Sequence, residues 1–204
     1  MVRFILIAVI GYFLGNISSS YIVGKLGSNI DVREYGSGNL GTTNAYRVLG
    51  LKAGALVFIG DVIKGIIATV IGLLIVRDNS IGGLIGGITA VAGHNWPFLL
   101  EFKGGKGIAT SFGTIIILFP KVALILLVVE VLIIVLTGYV SLGSVTVAIL
   151  LPILTIAFRY DPWLIAGAFI LAIMAIYRHK DNITRLLNGT ENKITSRSGS
   201  RGLK

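Results

Sequence analysis

The sequence predicts an all-α membrane protein, with about seven transmembrane helices and three polar motif loops on its cytoplasmic face. Three observations predict it. The 204 residues are 54% hydrophobic and only 13% charged, well outside soluble composition. Several apolar runs reach the length a helix needs to cross a bilayer, about 20 residues. The polar residues are not scattered but collect in segments 31–49, 93–110 and 178–193, between or after those runs.

Taken in order, the predicted spans are 2–26, 51–76, 80–92, 108–119, 122–138, 141–158 and 163–177. The first is too long for the apolar core of a signal peptide, lacks a small-residue cleavage site, and is interrupted by Asn16, Ser18, Ser19 and Ser20. It therefore reads as a retained span. The second carries Asp61 and Lys64 at i, i+3. Charges at membrane depth are costly unless paired, so a neutralised pair bracing the bundle is expected, with a proton relay as the sharper alternative. The third and fourth spans are short and flank 93–110, part of which is expected to dip into the membrane. Gly82, Gly83, Gly86 and Gly87 make two overlapping GxxxG spacings, read first as helix packing inside the bundle and second as a homodimer seam. Pro120 and the pair Asp161-Pro162 mark helix breaks, and Gly138 a tight turn. Residues 1–194 form one domain; the Ser/Gly/basic stretch 195–204 reads as a disordered tail.

Charge orients the bundle. The net charge is +9. With seven spans, one side receives Lys25, Arg33, Arg47, Lys52, Lys103, Lys106 and the basic stretch from Arg178 onward; the other receives Arg3, Arg77, Lys121 and Arg159. The positive-inside rule then puts the N-terminus outside and the C-terminus in the cytoplasm. All three polar segments share the cytoplasmic face. No basic helix or aromatic platform suited to nucleic acid is present, so the charge is topogenic and lipid-facing. Cysteine is absent, which excludes disulfides, zinc–thiolate sites and a cysteine nucleophile.

Each polar segment suits an anion. Gly36-Ser37-Gly38-Asn39-Leu40-Gly41 satisfies GxGxxG, but it joins two apolar runs, not a strand and a helix, so the dinucleotide reading fails. What remains are glycines that expose N–H groups, hydroxyl donors on Ser37 and Thr43, and the Arg47 fork for phosphate. In 93–110, Gly104-Gly105-Lys106-Gly107 falls short of a nucleotide loop because glycine, not a hydroxyl residue, follows the lysine. Glycine N–H groups and Lys106 still make a phosphate cradle, and Thr110 and Ser111 open the next span with free helix N–H groups. His94 is either a structural histidine at a helix end or a substrate ligand. In 178–193, His179 and Asn182 stand three apart on one helix face with cations beside them, and Glu191 is expected to pair locally. No carboxylate cluster offers ligands for magnesium or zinc. No metal or cofactor is expected.

The stretches GSGNLGTTNAYRVLG at 36–50, GHNWPFLLEFKGGKGIAT at 93–110 and YRHKDNITRLLNGTENK at 177–193 together resemble the bacterial acyl-phosphate:glycerol-3-phosphate acyltransferase (PlsY) family. The resemblance covers the chain up to its tail. It implies transfer of a fatty acyl group from acyl phosphate to the 1-hydroxyl of glycerol 3-phosphate, giving lysophosphatidic acid and phosphate, without acyl-CoA. This is the first acylation of phospholipid synthesis, carried out in the bacterial plasma membrane. It implies catalytic roles for Ser37, Arg47, Lys106, His179 and Asn182. Substrate-binding roles fall to Gly38, Asn39, Gly41, Thr43, Asn44, His94, Gly104, Gly105, Gly107 and Thr110. It also implies membrane lipid and the soluble phosphate acyltransferase that supplies acyl phosphate as partners. Because acyl phosphate is already activated and no Ser–His–Asp set is evident, direct attack without an acyl-enzyme is expected. The alternatives are a phosphate or organic-anion transporter, which places its polar groups near the bilayer midplane, and a non-enzymatic scaffold. A CDP-alcohol phosphotransferase is disfavoured, since its metal needs clustered aspartates.

Overall fold

The computed structural model describes residues 1–77 and 80–195 and is all-helical across them. The predicted disordered tail, apart from Thr195, lies outside the described residues. The first apolar run is broken rather than continuous: α1 covers Val2–Asn16 and α2 covers Ser19–Ser28. Ser18 starts α2 by accepting a hydrogen bond from the Tyr21 N–H, as a serine N-cap does. A short 3-10 turn at Val32–Glu34 leads to α3, Thr42–Leu49, so Arg47 sits on a helix and not in a loop. Helix α4, Leu51–Ile75, is the longest of the bundle.

Helix α5, Ile81–Asn95, runs three residues past its predicted end and takes Gly93, His94 and Asn95 into its last turn. The 11-residue α6, Ile108–Leu118, rises only about 16 Å, short of the roughly 30 Å hydrocarbon thickness. Pro120 opens α7, Pro120–Thr137, and Pro162 opens α9, Pro162–Arg178, each at the first helical position where proline's missing N–H does no harm. Between them α8 covers Val140–Ala157, entered through Gly138 at φ +78°. Past a 61° bend at His179, α10 covers Lys180–Leu187. Among the described residues, four helical segments are long and apolar enough to cross a membrane alone, five if α9 and α10 count as one bent span. The α5 and α6 pair is shorter than a bilayer.

The glycines of α5 explain its place at the centre. A Cβ on Gly86 would stand 2.3 Å from the Ala68 carbonyl of α4, and one on Gly82 would stand 2.3 Å from the Gly72 carbonyl. Without those side chains α5 beds directly on α4, and α1 packs on its other flank, where Gly11 faces the Gly86 carbonyl. The small residues thus serve packing within the bundle. A second packing zone joins α5 through α9 around Val91, Ile115, Phe119, Val122, Leu151 and Leu171. Leu132, Val135 and Leu136 of α7 remain exposed, as a lipid-facing surface requires.

The polar pair within α4 is formed. Lys64 Nζ lies 2.9 Å from Asp61 Oδ1 with both side chains buried. The lysine also donates to the carbonyls of Gly15 (3.2 Å) and Ile17 (2.9 Å) at the α1–α2 break. Ser19 donates to the same Asp61 oxygen at 2.9 Å. The charge pair therefore closes a break that would otherwise leave backbone carbonyls bare in an apolar setting.

Candidate active site

All three polar segments meet at one cavity of about 1150 Å³. In the first segment, Gly36 and Gly38 take φ of +61° and +69°, which reverses the chain sharply. Ser37, Gly38, Asn39, Gly41, Thr43 and Arg47 all line the cavity. Asn44 also borders it, but its amide is engaged inside the turn. Its Oδ1 accepts the Ser37 N–H at 2.9 Å, and its Nδ2 donates to the carbonyls of Val32 (3.2 Å) and Tyr35 (3.1 Å). A buried amide with those bonds made has little left for a ligand. Its place in the site is to hold Ser37.

The second segment departs from expectation in one respect. Gly104 and Gly107 line the cavity with Lys106, but the Gly105 N–H donates to the His94 carbonyl at 3.1 Å and faces inward. Arg178 locks the other side of this loop, with Nε donating to the Gly105 carbonyl (2.9 Å) and Nη2 to that of Gly104 (3.0 Å). Gly107, at φ +79°, caps α6, whose first residues Ile108 and Ala109 face the cavity. The unpaired first-turn N–H groups of α6 thus open onto it. Thr110 is fully buried behind that turn, with Gly65 packed against its carbonyl. Neither Gly105 nor Thr110 lines the cavity. His94 reaches the cavity edge, yet its Nδ1 lies 2.8 Å from Lys64 Nζ.

The third segment supplies the opposite wall. His179, at the α9–α10 bend, is buried, and its Nδ1 lies 2.7 Å from the Ala175 carbonyl. Only an N–H can bond that oxygen, so Nδ1 carries the proton and Nε2 keeps a lone pair. Asn182 accepts a hydrogen bond from Lys106 Nζ through Oδ1 and donates to Glu191 Oε1 at 2.7 Å. Glu191 pairs locally with Arg185 at 2.7 Å, and it also accepts from Ser141 Oγ at 2.9 Å. Arg47 reaches across to donate to the carbonyls of Asn192 (3.1 Å) and Lys193 (3.2 Å). Its Nε is buried without a partner among the described residues. The sequence places neither Ser141 nor, beyond its local pairing, Glu191 in the site. Ser141 reads as the apolar start of a span, and only its position just past the Gly138 turn hints that it reaches a surface.

The matching of whole chains now bears on this geometry. The model of the family described as glycerol-3-phosphate acyltransferase matches residues 5–189. The chain belongs to that family. It is 48% identical over 190 residues to the glycerol-3-phosphate acyltransferase of Thermoanaerobacter sp. (strain X514), covering 93% of this chain and 95% of that one. Its fold is similar, with a TM-score of 0.88, 36% identity and coverage of 93% and 94%, to a crystal structure of PlsY (YgiH), an integral membrane glycerol 3-phosphate acyltransferase, in the glycerol 3-phosphate form. The lysophosphatidic acid form of PlsY matches with a TM-score of 0.86 and the same coverage.

In this acyltransferase-family chain the cavity is strongly cationic. Burial lowers the Lys106 pKa to about 8, with Arg185, Arg178 and Arg47 adding repulsion that the nearby Glu191 charge only partly offsets. Burial, then Lys106, lowers His179 to about 4, so its ring is neutral at physiological pH. Burial would raise Glu191, but hydrogen bonds from Asn182, Arg185 and Ser141 outweigh it and hold the carboxylate ionised. Among the described residues Lys106 makes no salt bridge, and its Nζ donates to the Asn182 amide.

Proposed function

We propose that this chain is a glycerol-3-phosphate acyltransferase that takes its acyl group from acyl phosphate. The observation that carries the reading is the convergence of Ser37, Lys106 and Asn182 with Arg47 and His179 on one cavity, with the α6 N-terminus opening into it. Two phosphates need a cation-rich site with free N–H donors, and this cavity has both. Ser37, Arg47 and Lys106, with Gly104, Gly107 and the α6 first turn, hold the acyl-phosphate head. His179 and Asn182 hold glycerol 3-phosphate. Gly38, Asn39, Gly41 and Thr43 shape the first wall. The apolar side of the cavity, with Phe58 of α4, Phe112 of α6 and Leu127 and Val131 of α7, receives the acyl chain from the bilayer.

The reaction asks for alignment more than activation. The 1-hydroxyl oxygen attacks the acyl carbonyl carbon, a C–O ester bond forms, and the C–O bond to phosphate breaks. Lys106 and the helix N–H groups steady the negative charge on the carbonyl and on the leaving phosphate. A histidine with a pKa of about 4 is a weaker base than a phosphate dianion whose second pKa is about 6. The hydroxyl proton therefore leaves with the phosphate, and the His179 Nε2 lone pair orients the hydroxyl. No acyl-enzyme forms. The seven-span frame, with the site on the cytoplasmic face of the bacterial plasma membrane, belongs to the same reading. So does a soluble phosphate acyltransferase as donor supplier. The direct test supplies purified protein with acyl phosphate or acyl-CoA and glycerol 3-phosphate. Lysophosphatidic acid should form from the first donor alone; product from acyl-CoA at an equal rate, or none from either, would sink the proposal.

A further inference from the structure

A second charged cluster, Asp61, Lys64 and His94, reaches the cavity edge through Asp61 and His94 and makes no hydrogen bond to Lys106 among the described residues. Lys64 Nζ is surrounded by four acceptors within 3.2 Å: Asp61 Oδ1, the Gly15 and Ile17 carbonyls, and His94 Nδ1. An ammonium with three hydrogens shared among them donates to Nδ1, since the ring nitrogen is the only unprotonated imidazole atom placed to accept. That leaves the His94 proton on Nε2. The Nε2 edge of the ring faces the glycine loop: a Cβ built on Gly105 would stand 2.1 Å from it. The His94 carbonyl at the same time accepts the Gly105 N–H at 3.1 Å. His94 therefore underlies the loop with both its backbone and its ring, while Arg178 grips the loop's outer carbonyls.

We propose that Asp61, Lys64 and His94 act as one positioning unit for the donor-binding loop Gly104–Gly107. The lysine fixes the ring's tautomer and rotation, and the ring fixes the height of the loop. Asp61 neutralises the lysine and, through Ser19, anchors the assembly to the start of α2. The unit acts through the loop, so its loss should weaken the donor's hold and leave the acceptor's contacts at His179 and Asn182 in place. A pair that merely braced the bundle would show no such preference. This inference rests on the donor assignment above for its kinetic readout alone.

The test uses the whole protein in detergent. Single loss of Lys64 strands a buried carboxylate and destabilises the whole protein, so the informative variants are Asp61→Asn/Lys64→Met, which removes both charges at similar shape, and His94→Phe, which keeps the ring volume. Two measurements follow on each. In kinetics, KM for acyl phosphate should rise about tenfold while KM for glycerol 3-phosphate stays within about twofold, the scale of loss when a binding group is slightly misplaced. In hydrogen–deuterium exchange, the amides of 103–108 should exchange about tenfold faster, with α7 and α8 unchanged. Proportional rises in both KM values, or loop exchange equal to wild type in both variants, would overturn the assignment. If wild type turns over no acyl phosphate, the donor reading falls, and loop exchange still decides the positioning role.

Discussion

Two lysines in this chain, Lys64 buried and Lys106 half-buried, sit in opposite circumstances. Lys64 is enclosed by a carboxylate at 2.9 Å, two backbone carbonyls and a histidine nitrogen. Lys106, half-buried, donates among the described residues to the neutral Asn182 amide alone, with the Glu191 charge and those of Arg185, Arg178 and Arg47 around it. Taking an ammonium out of water is expensive, and the protein meets that expense fully at one lysine and leaves it open at the other. The difference separates structure from binding. A satisfied buried charge stabilises the fold around it, whereas an unsatisfied one stabilises whatever anion arrives.

The largest expected effects test that contrast directly. Lys64→Met alone should destabilise the protein by about 3–5 kcal/mol, because Asp61 is left buried and unpaired, and melting in detergent will show it. Lys106→Ala should melt no lower than wild type yet lose about 10²–10³ in kcat/KM, the cost of removing one donor aimed at developing charge. If Lys106→Ala melted as early as Lys64→Met, the two lysines would not differ in kind. Next in size is Asn182→Asp, which puts a carboxylate against Lys106 and competes with the acyl-phosphate head. KM for acyl phosphate should rise about tenfold, a steady-state measurement.

The pH profile sharpens the contrast further. Lys106 has a pKa lowered to about 8, so it is protonated below that pH and loses its charge above it. A step that needs the ammonium should therefore run at full kcat/KM up to about pH 8 and fall beyond it. Lys106→Arg should keep residual activity and show no such decline. The smallest effect belongs to the exposed pair Lys103–Glu101 at 3.0 Å, close in sequence to Lys106 but open to water. Lys103→Ala should leave the melting temperature and kcat/KM unchanged within error.

Much of this was legible in the residues. Apolar run length, Pro120, Gly138 and the Asp161-Pro162 pair mark the helices, because proline and glycine act on the backbone locally. The convergence of three polar segments on one cavity was expected from the family resemblance and from the charge pattern. Other features depend on long-range contacts that no local pattern encodes. The polar residues Asn16 and Ser18–Ser20 mark the break between α1 and α2, but not that Lys64, 49 residues from Gly15, caps its carbonyl. Gly105 looks like its neighbours Gly104 and Gly107 in sequence, yet its N–H turns inward because the last turn of α5 extends to meet it. Ser141 became part of the site through Glu191, 50 positions away.

The strap formed by residues 191–194 has a consequence for biosynthesis. Ile194 donates its N–H to the Gly138 carbonyl at 2.8 Å, Lys193 lies over the Tyr139 ring, and Glu191 joins Ser141 to Asn182. These contacts close the last wall of the cavity, and they come from residues made after every apolar helix. Translation must therefore pass residue 194 before this wall can close.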